Sequence, residues 1–93
     1  MTKVSVLVAV YNAAQYLHDC LDSLLNQTLK DIQVICIDDC STDSSLSILN
    51  EYAQKDSRVK VLQLNMKCGK AHARNEGLKI ARGEFICMLD ADD

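Results

Sequence analysis

The chain has 93 residues, of which 48% are hydrophobic, and this is enough for one domain with a modest core. Its formal net charge of −3 argues against a general nucleic-acid-binding protein, which would normally carry a basic face. No segment approaches the roughly 18 apolar residues of a membrane span, and no long apolar stretch follows Met1 as in a signal peptide.

The first half of the chain alternates apolar runs with segments of helical periodicity. Val4–Val10 predicts a strand that is buried on both faces. Leucines then recur at helical spacing and predict an amphipathic helix over 14–27. A second strand over 32–37 ends immediately before Asp38 and Asp39.

The second half of the chain repeats this alternation. Residues 41–43, a Ser-Thr-Asp sequence, can cap a second helix, and 59–64 predict a third strand. A helix is expected over 71–82, with Gly83 as its left-handed terminating residue, before a fourth strand over 84–89. Three successive strand–helix units predict an α/β fold of three layers, Rossmann-like, with a mainly parallel sheet of four strands and three helices.

Five cysteines occupy positions 20, 36, 40, 68 and 87 without a CxxC pair or a Cys/His spacing typical of a metal site. The odd number, and the apolar neighbours of Cys36 and Cys87, favour reduced and buried thiols in a cytosolic protein. We therefore expect a cytoplasmic location.

Polar side chains follow three of the predicted strands, at positions 11–12, 38–39 and 90–93. Open parallel sheets bind ligands beyond the carboxyl ends of their strands, so these groups are expected to meet in one crevice. A single acidic strand end is usually a solvated turn, but three polar ends with Arg74 nearby favour a binding site. Clustered carboxylates suit a magnesium or manganese ion that also holds phosphates.

The usual phosphate-binding signatures are absent from the sequence. The chain has three glycines, at positions 69, 77 and 83, so neither a GxGxxG turn after the first strand nor a P-loop can be present. This argues against a hydride-transferring Rossmann enzyme and requires a metal ion for any bound phosphates. His18 and His72 are predicted to be surface histidines.

Five motifs together resemble family 2 glycosyltransferases. VSVLVAVYN at 4–12 and LDSLLNQT at 21–28 resemble the opening of that family, and 38–43, 73–75 and 90–93 resemble its next three motifs in order. The resemblance implies the nucleotide-sugar-binding half of a GT-A fold, with strand order 3-2-1-4. It also implies a donor sugar carried on a nucleoside diphosphate, for synthesis of a polysaccharide or other glycan.

The resemblance also implies roles for individual residues. Tyr11 would stack on the base, and Asp39 would accept its imide hydrogen, which favours a UDP-sugar because an ionised carboxylate only accepts hydrogen bonds. Arg74 would lie near the base and diphosphate, Asp90 near the ribose, and Asp92 would bind the divalent manganese or magnesium ion. The predicted donor-binding residues are thus Ala9, Tyr11, Asn12, Asp39, Arg74 and Asp90, with Asp92 as the metal ligand.

The expected reaction is an inverting glycosyl transfer, which needs a general base to deprotonate the acceptor. In the family this base lies well beyond the DxD motif, so residues 1–93 are expected to be a single donor-binding subdomain, truncated after that motif and inactive alone. The parent enzyme could act at the cytoplasmic face of a membrane. A stand-alone nucleotide- and metal-binding module is the alternative, and a nucleotidyltransferase is disfavoured by the missing Gly-rich basic loop.

Two positions and one loop depart from the family pattern, and one edge of the sheet carries a further expectation. Ala9 stands where proline is common, and Cys40 stands where glycine is common. Residues 66–70 are a looser version of the family's glycine-containing loop. If the backbone at Cys40 has a positive φ, the cysteine costs about 1 kcal/mol or more. The fourth strand would form an uncovered edge, and we expect the chain to self-associate through it.

Overall fold

The computed structural model describes residues 2–26 and 31–91, and in them strands and helices alternate in the predicted order. The strands are β1 (Val4–Val10), β2 (Ile32–Asp38), β3 (Val59–Gln63) and β4 (Phe85–Asp90). The helices are α1 (Ala14–Leu25), α2 (Ser45–Lys55) and α3 (Lys70–Leu78). None of these helices is long and apolar enough to cross a membrane. The predicted end of α1, Gln27, lies outside the described residues.

The four strands form one parallel sheet in the order β3-β2-β1-β4, which confirms the predicted fold class and strand order. The central strand β1 pairs with β2 from Val4↔Ile32 to Val10↔Asp38. On its other side it pairs with β4 as far as Ala9↔Asp90. The carboxyl ends of β1, β2 and β4 therefore lie side by side.

Helices cover both faces of the two central strands, which explains the continuous apolar runs of β1 and β2. Val6, Val8 and Val10 of β1 belong to the larger core cluster, which α1 and α2 complete with Leu17, Leu21 and Leu49. Leu7 points to the opposite face, where it packs with Ile35, Ile37 and Ala73 of α3. Alternate residues of one strand thus enter two separate cores.

The edge strand β4 remains largely exposed. Phe85 is 59% exposed and Met88 is 43% exposed, and Cys87 between them is exposed as well. The prediction that Cys87 is buried is therefore wrong, because the described helices leave the faces of this strand uncovered. Cys36, on the central strand β2, is fully buried as predicted, and burial raises the pKa of its thiol to about 12.

The connection between α3 and β4 differs from the prediction. The helix ends at Leu78 rather than at residue 82, and Gly83 does not have a left-handed φ. Gly83 instead lies so close to β1 that a Cβ there would be 2.5 Å from the backbone nitrogen of Ser5. Ser5 Oγ accepts a hydrogen bond from Gly83 N at 2.8 Å and donates one to Gln33 Oε1 at 2.9 Å.

Candidate functional site

A pocket opens at the carboxyl ends of β1 and β2, beside the start of α3. Its lining consists of Ala9, Val10, Tyr11, Ala13, Asp39, Lys67, Gly69, Lys70 and Ala73. Three of the residues predicted to bind a donor, Ala9, Tyr11 and Asp39, therefore share one pocket. The location is the one expected for a ligand site on an open parallel sheet.

The most constrained group in the pocket is the Asp39 carboxylate, which is 4% exposed. Its Oδ1 accepts a hydrogen bond from Cys68 N at 2.8 Å, and its Oδ2 accepts one from Gly69 N at 2.9 Å. Gly69 can present its N–H in this way because it adopts a φ of +91°, which glycine tolerates. A carboxylate has about four acceptor positions, so these two bonds orient Asp39 without using all of them.

An aromatic ring and a cation stand at the mouth of the pocket. Tyr11 is 42% exposed, and Lys67 Nζ lies 4.4 Å from the centre of its ring, within the range of a cation–π contact. The sequence analysis assigned no role to Lys67, although it noted the loop over 66–70. The contact with Tyr11 depends on how this loop folds before α3, which the sequence does not show.

Asp90 is held by two cations of α3. Lys70 Nζ lies 3.1 Å from Asp90 Oδ2, and Arg74 Nη2 lies 2.8 Å from Asp90 Oδ1. The two cations are four residues apart, so they project from the same side of the helix. The hydrogen bond from Lys70, with the charges of Lys70 and Arg74, holds the pKa of Asp90 below its ordinary value.

Arg74 and Asp90 line a second groove rather than the pocket. This groove lies between α1 and β4 and also includes Tyr16, Leu24 and Met88. Lys70 borders the pocket and pairs with Asp90, so it connects the two regions. The Nε of Arg74 is buried without a hydrogen-bond partner among the described residues.

Asn12 was also predicted to bind a donor, but it is not part of the pocket lining. Its side-chain oxygen accepts a hydrogen bond from Thr42 N at 2.7 Å, in the loop between β2 and α2. Asn12 and Cys40 both have a positive φ, +47° and +62° respectively. The condition for strain at Cys40 is therefore met, whereas asparagine tolerates the left-handed region better.

The described residues do not form a metal site by themselves. In residues 2–26 and 31–91, no group of three His, Cys, Asp or Glu side chains is placed to hold an ion. The oxygens of Asp90 are already bonded to Lys70 and Arg74. Asp92, the predicted metal ligand, lies outside the described residues. The prediction of a metal therefore depends on Asp92 and is not tested by the structure.

The two histidines lie on the surface. His18 is exposed on α1, where its Nδ1 lies 3.2 Å from the hydroxyl of Tyr52. His72 is exposed on α3, and its Nε2 lies 4.0 Å from Glu76. Neither histidine lines the pocket.

Comparison with known proteins identifies the chain's relatives. A family model described as Glycosyl transferase family 2 matches residues 5–93. A poly(ribitol-phosphate) beta-glucosyltransferase of Bacillus spizizenii is 47% identical over 94 residues, which cover 98% of this chain and 15% of the relative.

Solved structures show the same fold. TarS 1-349 of S. aureus, in complex with UDP-GlcNAc, superposes with a TM-score of 0.91 at 39% identity, covering 98% of this chain and 27% of the TarS 1-349 chain. The mannosyltransferase PcManGT of Pyrobaculum calidifontis, in complex with GDP-Man and Mn2+, superposes with a TM-score of 0.90 at 31% identity. The match covers 97% of this chain and 27% of that chain. The chain thus spans about a quarter or less of the length of these relatives.

Proposed function

Since this chain belongs to glycosyl transferase family 2, we propose that it binds the UDP-sugar donor of a glycosyl transfer reaction. One observation carries the proposal. Asp39 is a buried carboxylate that backbone N–H groups orient, and it lies in one pocket with the exposed ring of Tyr11. An acceptor-only group beside an aromatic ring suits a base that offers an N–H donor.

Asp39 and Tyr11 recognise the base in this proposal. Uracil carries an imide N–H that can donate to a carboxylate, whereas the corresponding ring nitrogen of cytosine is an acceptor and would be repelled. Tyr11 supplies the face on which the base stacks, a contact worth about 1–3 kcal/mol per base. Ala9 forms part of the same wall and leaves space for the base because its side chain is small.

Asp90 and Arg74 bind the remainder of the nucleotide in this proposal. Asp90 would face the ribose, and Arg74, which pairs with Asp90 in the groove beside the pocket, would lie near the base and the diphosphate. We assign Asp92 as the ligand of a manganese or magnesium ion, which when bound neutralises charge on the departing nucleoside diphosphate. The presence of Mn2+ in the PcManGT complex supports the choice of a divalent ion.

We assign this chain only the donor half of an inverting transfer, as a single subdomain that is inactive alone. It spans 15% to 27% of the length of the relatives compared above. The reaction also needs a general base at the acceptor hydroxyl, and both histidines lie away from the pocket. The proposed location is the cytoplasm, where nucleotide sugars are available.

The test is a calorimetric titration of the chain with UDP, with and without manganese. We expect binding that manganese strengthens and that Asp39→Asn weakens by at least about tenfold, since the amide has one acceptor oxygen and its NH₂ opposes the loop N–H groups. Asp31→Asn is the matched control, because Asp31 is exposed at the opposite end of the sheet. Equal affinities for wild type and Asp39→Asn would contradict the proposed role of Asp39.

A further inference from the structure

Lys67 is a cation of the pocket to which the proposed donor site assigns no role. Its side chain is exposed, and its Nζ lies 4.4 Å from the centre of the Tyr11 ring. Within residues 2–26 and 31–91, no carboxylate forms an ion pair with this ammonium. Lys70, the other lysine of the pocket lining, pairs with Asp90. Lys67 is therefore the lining cation whose charge no described acid neutralises.

The backbone beside Lys67 is attached directly to the proposed base site. The peptide bond that joins Lys67 to Cys68 supplies the N–H that donates to Asp39 Oδ1 at 2.8 Å. The next N–H, of Gly69, donates to Asp39 Oδ2 at 2.9 Å. The side chain of Lys67 thus starts one residue from a backbone group that holds Asp39, and it ends over the ring of Tyr11. These contacts place the ammonium beside the two groups proposed to bind the base.

The exposure of the lining residues gives the pocket a closed end and an open end. Asp39 is 4% exposed, whereas Tyr11 is 42% exposed and Lys67 is exposed as well. A uridine nucleotide that directs its imide N–H to Asp39 carries its ribose and phosphates away from that carboxylate, because the glycosidic bond leaves the base at another ring atom. In this pocket the phosphates therefore point to the open end, where Lys67 lies.

We propose that the ammonium of Lys67 binds the diphosphate of the donor and thereby makes the pocket selective for nucleotides over nucleosides. This inference rests on the proposed donor site. A lysine ammonium has three N–H donors on a flexible stem, so it can meet phosphate oxygens without a fixed geometry. Its contact with the ring of Tyr11 is of the weak kind found at exposed sites, so an oxyanion can replace that contact at little cost.

The test compares the affinities for UDP and uridine, measured by NMR titration of the 93-residue chain with magnesium. Lys67→Met keeps the apolar stem and removes the charge, and we expect the UDP-to-uridine affinity ratio to fall by about threefold to tenfold. The affinity for uridine should change little. Lys67→Arg retains the charge and should retain most of the ratio.

Lys3→Met is the matched control for the loss of one positive charge. Lys3 is exposed and directly precedes β1, so it lies at the opposite end of the sheet from the pocket. At an ionic strength of about 0.15 M, charges are screened over roughly 8 Å, and this substitution should leave the ratio unchanged.

The outcomes separate this inference from the proposed function. If Lys67 only supports the ring of Tyr11, Lys67→Met lowers the affinities for UDP and uridine together, and an unchanged ratio overturns the inference alone. An equal fall of the ratio in Lys3→Met and Lys67→Met also overturns it, because the effect then comes from net charge. If wild type binds UDP and uridine equally, the inference fails while the base site stands. If wild type binds neither, the proposed function itself is overturned, and the inference fails with it.

Discussion

The two acids Asp39 and Asp90 are held by the same end of α3, but through different groups. Backbone N–H groups of Cys68 and Gly69 hold Asp39, whereas the side chains of Lys70 and Arg74 hold Asp90. Substitution of a side chain can therefore alter the environment of Asp90 directly. The environment of Asp39 depends on the conformation of the loop, which side-chain changes affect only indirectly.

This difference leads to a prediction about the titration of Asp90. Lys70→Met removes the hydrogen bond that most lowers the pKa of Asp90, so the pKa should rise toward the ordinary value of about 3.9. An NMR titration that follows the side-chain carboxyl carbon of Asp90 would measure this pKa. Lys60→Met is the control, because Lys60 is exposed on β3 and its substitution should leave the pKa of Asp90 unchanged.

The contact between Lys70 and Asp90 also makes the free energy of unfolding depend on pH. Because the pKa of Asp90 is lower in the folded chain, the stabilising contribution of this contact is present above about pH 4 and is lost as the pH falls through the folded pKa. The Lys70→Met variant should lose less stability than wild type over this acidic range. An Asp90 midpoint that is the same in wild type and variant would show that Lys70 does not influence it.

At the scale of elements, the connection from α3 to β4 depends on a close approach of backbones. A Cβ at Gly83 would lie 2.5 Å from Ser5 N and 2.7 Å from the carbonyl carbon of Val4, and backbone atoms cannot move aside easily. A Cβ at Gly77 would instead meet the side-chain ends of Ile37 at 2.8 Å and Leu7 at 3.0 Å. These ends can rotate away.

The two glycines therefore form a matched pair of substitutions. Gly83→Ala should lower the free energy of unfolding by about 1–3 kcal/mol, because β1 and the segment before β4 must separate. Gly77→Ala should change it less, since the helical preference of alanine, about 1 kcal/mol over glycine, offsets part of the crowding. Urea denaturation of both variants measures the difference, and a Gly83→Ala variant as stable as wild type would refute the argument.

At the scale of the whole molecule, β4 presents an apolar strand edge that the described residues leave uncovered. Phe85 is 59% exposed, and Ile86 and Met88 are 42% and 43% exposed. Unpaired N–H and C=O groups along such an edge can pair with another strand, and exposed apolar side chains favour the contact. We therefore predict that the 93-residue chain self-associates through β4.

Sedimentation velocity over a range of concentrations tests this prediction. Wild type should show an apparent mass that rises with concentration, and Phe85→Glu should shift the curve toward monomer by adding a charge at the edge strand. Met66→Glu is the control, because Met66 is 68% exposed but lies in the loop before α3, away from β4. Wild type that stays monomeric at every concentration would exclude self-association through this edge.

The sequence alone determined the alternation of strands and helices, the α/β class and the location of polar groups at strand ends. Each of these depends on local pattern, since the apolar run of Val4–Val10 or the helical spacing of leucines reports burial along one segment. The family motifs added the strand order and the donor-site residues, of which Ala9, Tyr11 and Asp39 share one pocket.

Only the tertiary structure showed that Cys87 is exposed, that Gly83 touches β1, and that Asn12 bonds to the loop after β2. It also paired Lys70 with Asp90. These features involve a strand's place at an edge, or contacts between segments that are distant in the chain. They depend on the strand order and on how the loops approach one another, which bring segments that are distant in the chain into contact. A local pattern of residues does not contain this information.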